Sequence, residues 1–281
     1  MSALSTNELS LWSQYIYSIC GVQLDGSKGY LIETRLAPLV RETASANYTE
    51  LFNRVKGDFS HALKRKVIDA ITTQETSFFR DVSPFELLKN KVVPDLVDKR
   101  TKSASPGRPL PIRIWSAACS TGQELYSTAI VLKELLVDLH RYDIRLLGTD
   151  ISDKAVAQAS YGRYSKLEMD RGLAVDKMSR YFMSEGQTWK VRDEIRALAT
   201  FRTMNLLEPF TFPMKFDIVM CRNVAIYFSE QDKIRLFKSI ARVLAPDGYL
   251  MIGSTESITG LCPEFEPKRY LRAVFYQFKG A

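Results

Sequence analysis

With 281 residues, 46% of them hydrophobic and 25% charged, the chain can bury one large core or two modest ones, and no apolar run reaches the length of a membrane span. Two histidines in separate segments, His61 and His140, and four scattered cysteines, Cys20, Cys119, Cys221 and Cys262, argue against a zinc site or a histidine-based triad. Any chemistry then has to run without an imidazole base, and the thiols read as reduced. The net charge of +7 favours an acidic partner or nucleic acid without choosing between them, and residues 1–10 are polar with no signal-peptide core, which points to a cytoplasmic protein.

The first hundred residues read as helical, with a small all-helical domain over 1–90 and a linker helix and loop over 91–111. Ser5-x-x-Glu8 is a capping box ahead of Leu9, Leu11, Trp12, Tyr15, Ile16 and Ile19, and Gly21 ends that helix. Ser27 is placed to cap a second helix, which Pro38 should kink or end. A third helix spans about 48–55. A fourth, capped near Ser60, carries Lys64, Arg65 and Lys66 on its polar face, which reads as a solvated face or a docking face for an acidic helix. Ser83-Pro84 starts another helix, with an interruption expected near Pro94, and 101–111 is a linker rich in proline, glycine and serine.

Strand and helix then alternate: strand 112–116, helix 124–139, strand 144–149, helix 154–160. Later come strand 216–221, helix 230–244, and strands 249–253 and 273–278. This rhythm predicts a mainly parallel sheet covered on both faces, with the last two strands as a closing antiparallel hairpin. The alternation breaks between Tyr161 and Asn205. Short pieces around Gly186-Gln187 predict a small antiparallel insertion over about 178–203, with Ala199–Thr203 as its last piece.

Two corners carry chemistry. Trp115-Ser-Ala-Ala-Cys-Ser-Thr-Gly-Gln-Glu124 is a turn of small residues between a strand and a helix, where backbone can approach a ligand closely. Gly148-Thr149-Asp150 ends the next strand with an acid that can accept hydrogen bonds from two ribose hydroxyls. Together they indicate an adenosine-containing cofactor on an α/β sheet, without saying which.

Several segments taken jointly narrow this. They are Gly21-Val-Gln-Leu24 with Lys28, Tyr30-Leu-Ile32 and Arg35-Leu36; Thr72-Thr-Gln-Glu-Thr-Ser-Phe-Phe-Arg80; the two corners above; Asn205-Leu-Leu207; and Cys221-Arg-Asn-Val-Ala-Ile-Tyr-Phe228. Along nearly its whole length the chain resembles the CheR-type chemotaxis receptor methyltransferases. The resemblance implies a helical N-terminal domain and a class I (Rossmann-like) methyltransferase domain over 112–281 with an antiparallel insertion. It implies S-adenosylmethionine as cofactor and methyl transfer to glutamate side chains in the cytoplasmic domains of membrane chemoreceptors. The protein is expected to be a monomer, with no nucleic-acid partner and no insertion into the membrane.

The resemblance also implies site roles. Gln74, Thr76, Arg80, Ala117, Glu124, Asp150, Asn205, Leu206, Cys221, Arg222 and Asn223 would line the cofactor, while Arg80, Arg222 and Tyr227 would hold the incoming glutamate. Each has a plainer reading. Arg80 suits a surface salt bridge, Thr76 a helix cap, Glu124 a residue favoured by the helix dipole, Asp150 an N-cap (which Ser152 could fill instead), Asn205 a turn residue, and Cys221 and Tyr227 core packing. Gln74 stands where the family commonly has asparagine, Leu125 where it often has proline, and Ala225 where a larger apolar residue is usual. The turn Ser184-Glu-Gly-Gln-Thr188 is shorter and poorer in glycine than in relatives that bind a receptor tail peptide, so no such tether is expected.

Two other readings use the same fold. A nucleic-acid methyltransferase is permitted by the charge, but Cys-Arg-Asn-Val is not the Asn/Asp-Pro-Pro-Tyr type that holds a flipped base. A nicotinamide-dependent dehydrogenase is disfavoured by the broken glycine pattern.

Overall fold

The structure, a computed structural model, describes residues 4–24, 26–103 and 107–279. Helices α1 (Thr6–Cys20), α2 (Gly29–Glu42), α3 (Tyr48–Gly57) and α4 (Ala62–Ile71) form the N-terminal domain. The Ser5–Glu8 capping box is made, and Gly21 closes α1 at φ 72° with its N–H on the Tyr17 carbonyl. Trp12, Ile16, Ile32, Leu36, Leu51 and Val67 fill the small core, and Trp12 Nε1 donates to the Tyr48 carbonyl at 3.1 Å. Three details differ from expectation. α2 begins at Gly29 with no side-chain cap. It does not end at Pro38 but runs on to Glu42, with Leu36, Leu39 and Val40 buried around the proline. α4 starts after His61, and the Asp58 carboxylate accepts the N–H groups of Ser60 and Leu63.

α5 (Ser83–Leu87) leads through a wider π-helical turn, Leu88–Val92, into α6 (Val93–Ser103). The expected break at Pro94 is absorbed by that wide turn, which makes room for the proline ring. The predicted linker is therefore shorter. Helix persists to Ser103 and strand resumes at Leu110; residues 104–106 of the predicted stretch lie outside the described residues.

The second domain follows as β1 (Leu110–Ala117), α7 (Gln123–Leu135), β2 (Tyr142–Asp150) and α8 (Asp153–Tyr161). Then come β3 (Arg163–Ser165), α9 (Lys166–Asp170), α10 (Val175–Tyr181), β4 (Phe182–Glu185), β5 (Thr188–Val191), α11 (Asp193–Arg196) and β6 (Ala199–Thr203). The chain ends with β7 (Phe216–Cys221), α12 (Glu230–Val243), β8 (Leu244–Ile252), β9 (Phe265–Tyr270) and β10 (Ala273–Phe278).

Among the described residues one sheet runs β6-β2-β1-β7-β8-β10-β9, its first five strands parallel and its last two antiparallel. Alternation along the central strands serves two cores. Ile112, Ile114, Ile218 and Met220 face the layer of α5 to α7, while Trp115, Ala117, Val219 and Cys221 face the layer of α12.

Two expectations are corrected. Ala199–Thr203 does not belong to the insertion; it is the outer parallel strand beside β2, with Thr149 opposite Arg202 and Asp150 opposite Thr203. The small antiparallel sheet is β3-β5-β4 and begins at Arg163. An alternating edge strand has the same period whichever sheet it joins, so its pattern could not name the partner. Likewise the closing hairpin is β9–β10. β8 pairs with β10 antiparallel as expected, but the chain first travels out to the sheet edge to form β9.

Candidate active site

The carboxyl ends of β1, β2 and β7 face the N-terminal domain, and a cavity of about 210 Å³ lies between them. This is the edge where open α/β sheets bind ligands. After β1 the chain turns sharply, with Ala118 at φ 62°, Ser120 at φ 51° and Gly122 at φ 95°. Gly122 is needed there, because an added Cβ would also stand 2.9 Å from the Ala159 Cβ. The Cys119 N–H donates to the Thr149 carbonyl at 2.9 Å, tying the turn to β2.

Asp150 is 8% exposed and fixed from both sides. One carboxylate oxygen accepts the Ser120 N–H at 2.8 Å, the other the Ser152 N–H at 3.0 Å. Burial pushes its carboxyl above the ordinary range, against those hydrogen bonds. It is not the cap of α8; Ser152 is, with Oγ accepting the Ala155 N–H. Gln74, which lines the cavity, donates to Ser152 Oγ at 2.5 Å, and Ser152 Oγ donates to Asp69 at 2.6 Å.

Glu124 opens α7, where the helix dipole favours an acid. It accepts from Ser116 Oγ at 2.8 Å and pairs with Arg222 at 2.7 Å. The Arg222 side chain, 2% exposed, also pairs with Asp81 at 2.9 Å and donates to the Arg80 carbonyl at 3.0 Å. Arg222 is thus a strut between β7, α7 and the loop before α5, its guanidinium already engaged by two carboxylates. In that loop Phe79 and Asp81 sit at φ 50° and 63° on either side of Arg80. Arg80 lines the cavity and donates to the Glu75 carbonyl at 2.8 Å.

The remaining expected residues divide. Thr76, Asn205, Leu206, Asn223 and Tyr227 line the cavity. Asn205 donates to the Ile19 carbonyl of α1 at 3.1 Å and accepts the Leu207 N–H, so its amide serves the turn and the domain junction. Asn223 sits at φ 57°. Tyr227 is 36% exposed, and its carbonyl accepts the Gln23 N–H at 3.2 Å. Ala117 and Cys221 do not line the cavity: both are strand residues whose side chains point into the core, and Ala118 and Cys119 stand where Ala117 was expected. Burial pushes the Cys119 and Cys221 thiols far up and that of Cys20 to about 11, so none supplies a thiolate. Among the described residues no cluster of His, Cys, Asp and Glu could hold a metal.

The expected site omitted a whole wall. Val22, Leu24, Lys28, Leu31 and Arg35 of the N-terminal domain line the cavity, as do Ile151 and Met204. Arg35 donates to Thr73 Oγ1 at 3.0 Å and to the Ile71 carbonyl. The domains are clasped where Tyr17 donates to Asp232 at 2.7 Å and where Gly21 packs so tightly that a Cβ would meet Leu207 at 2.0 Å. The only signal in the sequence for Val22, Leu24, Lys28, Leu31 and Arg35 was their presence among the segments that carried the resemblance; Ile151 and Met204 had none.

The arrangement fits S-adenosylmethionine. Asp150 has two oriented oxygens that could meet vicinal hydroxyls, Glu124 a partly buried carboxylate that could meet a cationic end, and Leu206, Ile151 and Met204 form an apolar wall that could meet a flat base. Residues 7–72 match the family model described as CheR methyltransferase, all-alpha domain, and residues 74–271 that described as CheR methyltransferase, SAM binding domain. The chain is 37% identical to the chemotaxis protein methyltransferase Cher2 of Pseudomonas putida, covering 94% of this chain and 95% of that one. It is 36% identical to a chemotaxis protein methyltransferase of Vibrio parahaemolyticus, covering 98% of each, and 36% identical to chemotaxis protein methyltransferase 1 of Pseudomonas aeruginosa, covering 99% and 100%. The matched models meet at the segment where the two domains close over the cavity, and with relatives this similar over nearly the full length the chain belongs to the CheR family of S-adenosylmethionine-dependent methyltransferases.

Proposed function

We propose that the protein methylates glutamate side chains in the cytoplasmic domains of membrane chemoreceptors, giving γ-methyl esters. One observation carries this reading. The cavity sets two carboxylates, the buried Asp150 and the partly buried Glu124, on its sheet side against Lys28, Arg35 and Arg80 on the walls from the N-terminal domain and the loop after it. The carboxylates suit a cationic donor, and the basic side chains suit an anionic acceptor.

S-adenosylmethionine, when bound, supplies a methyl group activated by a sulfonium. Asp150 would hold the ribose hydroxyls, Glu124 the charged amino-acid end, and Leu206 with Ile151 the base. Arg80 and Tyr227, braced by Arg222, would orient the incoming carboxylate. A glutamate with an ordinary pKa of about 4.3 is already an anion at neutral pH, so no residue has to remove a proton. This agrees with a cavity lined by no histidine. Alignment and exclusion of water are then the chain's main contribution, and positioning of this kind is worth roughly 7–11 kcal/mol in favourable cases. Val22, Leu24 and Leu31 supply the apolar lining that keeps water out.

Two features support a narrower reading. The connection between β4 and β5 is only Gly186-Gln187, with Gly186 at φ 65°. A turn this tight offers little edge for a receptor tail peptide, so the enzyme works without such a tether. Among the described residues no helix is long and apolar enough to cross a membrane. The proposed working form is a cytoplasmic monomer that meets receptors and not nucleic acid.

The test is incubation with methyl-labelled S-adenosylmethionine and chemoreceptor cytoplasmic domains, with and without their C-terminal tails. Label that is released as methanol by base, at equal rates from both receptor forms, is the expected result. Base-stable label, or label entering RNA or DNA, would refute the ester; a rate that collapses without the tail would refute independence from it.

A further inference from the structure

The turn that presents Arg222, Asn223 and Tyr227 is held by a residue outside the cavity. β7 and β8 run parallel, and their last paired residues are Cys221 and Ile252. Just beyond that rung the N–H groups of Asn223 and Gly253 both donate to one oxygen of Glu256, each at 2.7 Å. The Glu256 N–H returns to the Gly253 carbonyl at 2.9 Å, closing a tight turn that aims the carboxylate back at the sheet. The carboxylate therefore replaces the next rung of the ladder. Its second oxygen is buried and has no hydrogen-bond partner among the described residues, an arrangement proteins rarely tolerate without a compensating role.

The packing around this contact is close. A Cβ on Gly253 would stand 2.6 Å from the Glu256 carboxylate and 2.8 Å from the Asn223 amide. Asn223 itself is held at φ 57°, a left-handed conformation that relaxes readily when its restraint is lost. From Asn223 the consequences run to both sides. Arg222 carries the pairs to Glu124 and Asp81, and Val224 and Tyr227 reach the cavity.

We infer that Glu256 is a positioning residue for methyl transfer: by clasping the Asn223 and Gly253 amides it fixes the left-handed turn that seats Arg222 against Glu124 and Asp81 and brings Tyr227 to the cavity. This rests on the methyl-transfer reading above. Glu256 does not line the cavity. It acts through the backbone of Asn223, and the charge it holds there is close enough to add to burial in pushing up the Cys221 thiol.

Glu256→Gln and Glu256→Ala in the full chain test this. The glutamine keeps one oxygen able to accept both N–H groups, so its kcat should stay within about 5-fold of the parent, the loss expected when a charge-assisted bond becomes a neutral one. The alanine should lose roughly 30-fold in kcat, on the order of 2 kcal/mol at 1.36 kcal/mol per decade. Its Kd for S-adenosylhomocysteine should rise by clearly less than kcat falls, because Asp150 stands on another strand and Glu124 keeps its hydrogen bond from Ser116. Amide exchange at Asn223 and Gly253 should quicken in the alanine variant and not in the glutamine variant, with circular dichroism confirming that both fold. Unchanged kcat and exchange in the alanine variant would overturn the inference, as would cofactor affinity falling in step with kcat. Equal damage from glutamine and alanine would also overturn it. If the parent itself transfers no methyl to receptors, the functional reading fails, and the exchange measurement alone then decides whether Glu256 holds the turn.

Discussion

Replacing Asp150 by asparagine probes the cofactor reading at its most constrained point. In the parent each carboxylate oxygen accepts one backbone N–H, from Ser120 and from Ser152, and keeps a lone pair for the cavity. The amide of asparagine has a single oxygen. Its NH2 group must face one of those two N–H donors, so one buried donor loses its partner and one acceptor toward the cavity disappears. A hydrogen bond to a charged group contributes about 1.5–3 kcal/mol, so losing one predicts S-adenosylhomocysteine binding weaker by about 2 kcal/mol, roughly 30-fold. Isothermal titration calorimetry measures this directly. The same substitution should separate from the parent in its pH dependence. Burial raises the Asp150 pKa, so its carboxylate is harder to form in the free protein than that of an exposed aspartate. Whatever stability its neutral form contributes is complete below the ordinary value of 3.8 and is lost as pH rises through the raised value. Cofactor binding, which uses the anion, should weaken in the parent as pH falls through that raised value and stay flat in the variant. Asp150→Asn binding within 3-fold of the parent, or with the parent's pH profile, would refute the reasoning.

Other expectations follow from the clasp and the strut. Tyr17→Phe removes the hydroxyl that bridges α1 to Asp232 and should cost about 1 kcal/mol, lowering Tm by roughly 2–4 °C in a scanning-fluorimetry melt. Asp232, despite its burial, is held below the ordinary carboxylate range by hydrogen bonds from Ser229, Tyr17 and Arg235. Its contribution to stability is therefore present above 3.8 and lost as pH falls further, and Asp232→Asn should flatten the acid limb of a Tm-against-pH curve. Arg222→Lys cannot hold Glu124 and Asp81 with one compact ammonium; a weakened buried pair of this kind costs on the order of 3 kcal/mol, so kcat for receptor methylation should fall at least 10-fold, and a kcat within 2-fold of the parent would count against the strut. Gly148→Ala places a Cβ 2.5 Å from the Phe201 ring and 3.0 Å from Cys119 Sγ, so chemical denaturation should show a loss of about 1–3 kcal/mol.

How far the sequence could be read differs between elements for identifiable reasons. Signals with a period, and the caps at the two ends of α1, were legible, whereas those at Ser27 and Ser60 were not. The Ser5–Glu8 box, Gly21 and the apolar rhythm from residue 112 onward concern contacts within a few residues, and the structure makes them. Ala199–Thr203 was misplaced because alternation reveals a half-covered strand and not its neighbour. Pro38 was expected to kink or end α2; the helix does not end there, because burial of Leu36, Leu39 and Val40 outweighs the local penalty. Within the site, the acid and small-residue corners were legible because strand ends in this fold carry ligands. Ala117 and Cys221 were assigned to the cavity one residue too early, since only the register of β1 and β7 decides which side of the pleat a residue takes.

The amino-acid sequence by itself determined the class of fold and the two strand-end corners that line the cavity, because these depend on local periodicity and on residue type. Tertiary structure alone decided that helices α1 and α2 supply a wall of the cavity, that Arg222 is committed to Glu124 and Asp81, and that Glu256 closes the turn at Asn223. Those contacts join residues far apart in the chain, and their existence depends on how the packed layers bring strand ends and helices within hydrogen-bond distance.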